Sequence, residues 1–184
     1  MTLEEIRVEI DKVDTQMKEL FRKRMECGKH VAEVKGQTGG DVFVPEREAQ
    51  IIAKRAADME PAIKEIYIAY IKHLMSLCRK YEYELLPDMQ ESVIKAALEE
   101  ANMQEKEIDG HVKISFTCLQ KNSDLNLFVN MIVLNQVEIE EMNVTKDEEW
   151  LQVKVTLKGT LQQENMRCLL CQIGKEAGNF KICK

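Results

Sequence analysis

The stretch MKELFRKRMECGKHVAEVKG, residues 17–36, decides how the first half of this chain is read. Met17, Leu20, Phe21, Cys27, Gly28, Val31 and Val34 recur at helical spacing, yet the slot reserved for an apolar residue near position 24 holds Arg24, and Lys35 closes the same stripe. A buried cation without a partner is costly, so Arg24 calls for a protein carboxylate or a bound anion. Upstream the rhythm continues through Val13, Ile10 and Ile6, which makes Leu3 to about Lys35 one helix. At ~1.5 Å per residue that helix runs roughly 50 Å, too long for one small domain to cover unaided.

GQTGGD, residues 36–41, breaks the helix at Gly39-Gly40. A second helix opens at Pro45, with Glu46 and Glu48 in the first turn, where the helix dipole favours acids. A third opens at Pro61 and carries Ile63, Ile66/Tyr67, Tyr70/Ile71, Leu74, Leu77/Cys78 and Tyr81 along one side until Pro87 stops it. Residues 1–87 therefore read as an all-α unit of long, short and long helix.

The remainder changes period. Residues 88–110 read as a connecting helix and a polar linker, and HVKISFTCL from His111 alternates as a strand does. An apolar helix follows, capped by Ser123 or Asp124, and then two alternating segments joined as a hairpin across Lys146-Asp147. A helix to Gly178 and a last strand, NFKICK, complete the order βαββαβ over residues 111–184, the plan of ferredoxin-like folds. The fold class expected is α+β in two domains.

Composition excludes several roles. A formal net charge of -6 argues against a nucleic-acid binder, which needs a surplus of clustered cations. No run approaches the roughly 20 apolar residues of a membrane span, and the charged N-terminus does not read as a signal peptide. The chain is expected in the cytoplasm, where its six cysteines act as small buried hydrophobes. Cys168 and Cys171 form a lone CxxC inside a helical run, and His30, His73 and His111 have no ligand spacing, so no metal is expected.

Arg24 and Lys35 lie eleven residues apart, three turns, on one face roughly 16 Å apart. Arg7 precedes Arg24 by seventeen residues, roughly 25 Å, so no small anion touches both in one chain. Two long helices packed antiparallel would bring Arg7 of one protomer to the middle of the other. The competing reading makes these cations surface residues paired with Glu4, Glu19 or Glu33.

Three segments then resemble a known family: IRVEIDKVDTQMKELFRKRMECGKHVAEVK, VPEREAQII and LMSLCRKYEYELL, in that order over about residues 3–86. The family is the all-α (AroQ) class of chorismate mutase, an intertwined, domain-swapped homodimer of three helices per chain. The resemblance implies that Arg7 reaches a substrate carboxylate in the partner's site, that Arg24 grips a carboxylate in its own, and that Lys35 hydrogen-bonds the breaking ether oxygen. It makes Arg47 and Glu48 the family's Arg-Glu pair, the glutamate holding the ring hydroxyl of chorismate, and puts Cys78 and Glu82 where the family often has a serine and a glutamine or glutamate. Val44 departs from an aspartate found in some members, Cys78 is a weaker donor than serine, and Glu84 competes with Glu82 for the ether oxygen.

The implied reaction is the pericyclic rearrangement of chorismate to prephenate in phenylalanine and tyrosine biosynthesis, with no cofactor and no nucleophile. Isochorismate-pyruvate lyases share the fold and the cationic cluster, and a non-catalytic dimeric amino-acid sensor is the alternative of another class. The C-terminal half is similar in element order to ACT domains, in which phenylalanine or tyrosine binds between paired copies. The usual glycine after the first strand is absent here, Asn122, Ser123 and Asp124 standing in its place. A ferredoxin-like domain that only extends the dimer is the competing reading.

Overall fold

The computed structural model describes residues 1–120 and 124–184. Residues 121–123, including Asn122 and the proposed cap Ser123, lie outside that description. The first helix, α1 (Leu3–Thr38), is a single element, begun by a capping box in which Thr2 Oγ1 accepts from Glu5 N and the Glu5 carboxylate accepts from Thr2 N. It outlasts the apolar rhythm by one turn and ends where Gly39 takes φ 72° and donates back to Lys35 O, a left-handed cap that suits glycine. α2 (Pro45–Arg55), α3 (Pro61–Glu84) and α4 (Pro87–Ala101) each begin at a proline, which uses up all three in the chain.

The helical half buries little by itself. Of α1 only Gly28 and Ala32 are buried, where the helix crosses α3, and α2 buries no residue fully. Ile6, Ile10, Val13, Met17, Leu20 and Phe21 are exposed, Leu20 by 64%, and so are Ile63, Ile66 and Tyr70 of the α3 stripe. The buried residues of α3 gather near its C-terminus, Met75, Ser76, Cys78, Arg79, Glu82 and Tyr83, and of these only Cys78 belongs to that stripe.

The second half is a four-stranded antiparallel sheet in the order β2-β3-β1-β4, built from β1 (His111–Leu119), β2 (Glu138–Asp147), β3 (Trp150–Lys158) and β4 (Gly178–Cys183). Alternation along β1 and β3 puts Val112, Ile114, Phe116, Val153, Val155 and Leu157 on the covered face, under α5 (Asp124–Leu134) and α6 (Glu164–Glu176). α4 lies against α6 and β4 and adds Ile94, Ala97 and Leu98 to the same core. The hairpin turns at Glu148-Glu149, two residues beyond the Lys146-Asp147 expected. That register sets Val144 opposite Val153 and Met142 opposite Val155, whereas the earlier turn would have faced Val144 with Glu149.

A second, smaller core joins the halves. Ala32 and Val42 from the helical side meet Tyr83 and Leu86, and Cys168 and Cys171 of α6 pack among them. Burial pushes both thiols up to about 12, so the CxxC is a pair of protonated, apolar packing groups.

Candidate active site

α1, α2 and the end of α3 bring six of the seven residues singled out in the sequence to one place. Gly28 lies where α1 crosses α3, and a methyl added there would stand 3.6 Å from Glu82 Oε1, an ordinary contact. Glu82 is 6% exposed, on the face of α3 that also carries Cys78. Glu84, two residues on, points elsewhere and pairs with Lys80 at the surface, so Glu82 is the acid that faces the cluster.

Lys35 is half-buried one turn before the end of α1, and its Nζ donates to Val42 O at 2.9 Å. Burial lowers its pKa from the ordinary lysine value, with the Glu82 charge opposing and the Arg47 charge reinforcing. Burial likewise raises Glu82 above the ordinary carboxylate value, against the pull first of Lys35 and then of Arg24. Cys78 Sγ lies 3.7 Å from Met25 Sδ, and burial raises its pKa while the Arg24 charge lowers it. These mutual influences place Arg24, Lys35, Arg47, Glu48, Cys78 and Glu82 around a common space.

Arg24 itself is exposed in the single chain. Its expected burial is not met there, because the stripe around it, Met17 to Phe21, is uncovered as well. Among the described residues no carboxylate forms an ion pair with Arg24, Lys35 or Arg47. The cluster therefore holds three cations that have no carboxylate partner among the described residues, beside an acid whose pKa burial raises. Arg7 is not brought to it: it lies exposed near the start of α1, 3.1 Å from Glu4.

One group in the site was not read from the sequence. Arg79, 5% exposed, donates through Nη1 to both oxygens of Glu48, at 2.5 and 2.6 Å, and through Nε and Nη2 to Glu176 of α6, each at 2.7 Å. The signal was present, since Met75, Arg79 and Tyr83 follow one another at i, i+4 on a buried stripe, the same misfit of a cation in an apolar slot that marked Arg24. Glu48, Arg79 and Glu176 also line a cavity of about 1030 Å³ between α2, α3 and the C-terminal sheet.

Three cations and an acid whose pKa burial raises thus gather where α1, α2 and α3 meet. Residues 6–83 match the family model of chorismate mutase type II. The chain is similar to a T-protein of Enterobacter agglomerans, 42% identical over 55 residues, which is 30% of this chain and 15% of the relative. It is also similar to a T-protein of Haemophilus influenzae, 38% identical over 60 residues, 33% of this chain and 16% of that one. The chain thus spans only a small part of the length of these relatives. No solved structure matches it significantly.

Proposed function

We propose that this protein is a chorismate mutase, converting chorismate to prephenate without a cofactor. The observation that carries the reading is the gathering of Arg24 and Lys35 about buried Glu82, with Arg47 beside Lys35 and none of the three paired to a carboxylate among the described residues, within a region that matches the family. In the rearrangement the ether C–O bond breaks as a C–C bond forms, and negative charge develops on the ether oxygen. The chain must hold a flexible dianion in its compact conformer and present donors where that charge grows. Arg24 grips one carboxylate. Lys35 donates to the ether oxygen, protonated Glu82 donates beside it, and Glu48 accepts from the ring hydroxyl with Arg47 as its companion. The Cys78 thiol faces a carboxylate.

A second copy completes the site. The uncovered stripe of α1, and the groove of about 340 Å³ that Met17, Phe21, Tyr70 and Leu74 form with α3, supply an apolar seat for the partner's long helix. Such packing carries the partner's Arg7, its exposed guanidinium held here only by Glu4, towards the second substrate carboxylate. Among the described residues no helix is long and apolar enough to cross a membrane. All six cysteines are free thiols, the state a reducing cytoplasm maintains, and we place the enzyme there. The C-terminal half is proposed as regulatory, with phenylalanine or tyrosine as effector.

The test is consumption of chorismate and formation of prephenate by the full chain, with isochorismate in a parallel arm and phenylalanine or tyrosine added to each. Prephenate is the expected product. Pyruvate release from isochorismate at a higher kcat/KM would reassign the site to lyase chemistry, and no turnover of either would leave a binding protein.

A further inference from the structure

We propose that Arg79 and Glu176 are positioning residues for the reaction, so that the C-terminal half takes part in substrate recognition. Glu176 holds Arg79, and Arg79 holds Glu48 towards the ring hydroxyl. This inference rests on the assignment of the pocket to chorismate.

Glu48 sits in the first turn of α2, a helix with no fully buried residue. Apart from Arg79, no hydrogen-bond partner fixes its carboxylate among the described residues. A surface glutamate of that kind samples several rotamers, and a hydroxyl would find it in place only part of the time. The Arg79 fork removes that freedom, because Nη1 meets both oxygens at once.

Arg79 is fixed in turn. Its Nε and Nη2 grip Glu176, whose side chain is 3% exposed, and the Phe43 ring covers one face of the guanidinium with its centroid 4.7 Å from Cζ. Burial raises the Glu176 pKa against the pull of Arg79. Every group at its oxygens is nevertheless a donor, Gln172 Nε2 at 3.1 Å included, and that arrangement holds it as the carboxylate. Gln172 Nε2 also donates to Ser76 O at 3.2 Å, and Lys175 reaches Asp41 at 2.9 Å, so one side of α6 grips both α3 and the loop before α2.

The charges matter as much as the distances. One guanidinium neutralises one of the two carboxylates it bridges. Glu48, the more open of the pair at 21% exposure, keeps negative charge and further lone pairs for a hydroxyl donor. Arg79 touches no reacting atom: its hold on the ring hydroxyl passes through Glu48, while its charge also favours the ionised form of Glu82.

The experiment is Glu176→Gln in the full chain, with Arg79→Lys as a second variant in case the first fails to fold. Each is assayed with chorismate and, by turnover or competition, with an analogue in which hydrogen replaces the ring hydroxyl. Uniform binding of the hydroxyl predicts that KM for chorismate rises about tenfold with kcat nearly unchanged, and that affinity for the analogue matches the parent protein. An unchanged KM for chorismate would overturn the proposal, as would an equal loss for the two compounds, which is the mark of a merely structural tie. Glu48→Gln in the same assay separates the two levels. A raised KM there beside an unaltered Glu176→Gln sinks only the Arg79 relay, whereas a full chain that never turns over chorismate sinks the functional assignment and the relay with it.

Discussion

The helical half and the sheet half of this molecule treat apolar surface in opposite ways. In the sheet half, α4, α5 and α6 cover one face and leave Phe116, Leu157, Leu169 and Ile173 almost wholly buried. In the helical half the longest helix leaves Ile6 to Phe21 in solvent and buries only Gly28 and Ala32, at a crossing with α3 that also encloses an acid, Glu82. The first arrangement is a self-sufficient core. The second keeps charge at the crossing and oil at the outside, on the face where the proposed second copy would sit.

Several substitutions would break or sharpen that contrast. The largest effect is expected on activity alone: Arg24→Ala or Lys35→Ala should lower kcat/KM for chorismate by roughly 10²–10³-fold. The far-UV spectrum and thermal midpoint of Arg24→Ala should stay close to those of the parent, because the side chain is exposed. Phe116→Ala should do the reverse, costing about 3–5 kcal/mol in denaturant unfolding through the cavity left at a fully buried ring. If Phe116→Ala were harmless, the sheet half would not be the independent core described.

Phe21→Asp probes the unfilled side of the comparison. It should leave each chain folded while halving the mass seen by sedimentation, and turnover should vanish as the partner's Arg7 is lost. A dimer that survives this charge would move the interface off the α1 stripe.

A smaller effect is expected from pH. Burial raises the Glu82 pKa and only the protonated acid donates, so kcat/KM should be full below that pKa and fall about tenfold per unit as pH rises through it. Glu82→Gln keeps a donor at every pH, so its profile should be flat, and a profile that still falls would remove Glu82 from the ether oxygen. Smallest of all, Cys78→Ser should tighten chorismate by about 0.5–1 kcal/mol, because a hydroxyl donates better than a thiol.

Much of this was legible before any coordinates. Pro45 and Pro61 mark two helix starts, and Pro87, read as the end of the third helix, opens a fourth; the period-two runs at His111 and Trp150 are strands. The misfit cation at position 24 led to the pocket, and Lys35, Arg47, Glu48, Cys78 and Glu82 gather there with it. Less visible was which face of α3 is covered. Its stripe from Ile63 to Tyr81 is as apolar as the side that is buried, and periodicity ranks faces by hydrophobicity without knowing what lies opposite. The hairpin turn escaped for a related reason, since neither Lys146-Asp147 nor Glu148-Glu149 carries a glycine or asparagine to mark it.

What the sequence determined by itself was local and periodic: where helices start, where strands alternate, and that a cation interrupts an oil stripe. Those features follow from steric and solvation preferences that act within a few residues of the chain. The tertiary structure alone decided that Glu82 rather than Glu84 faces Lys35, that Arg24 waits at the surface, and that Arg79, while holding Glu48, reaches Glu176 across 97 residues of sequence. Such pairings depend on how two helices cross and which third element closes over them, and burial, not spacing, sets the charge that each side chain carries.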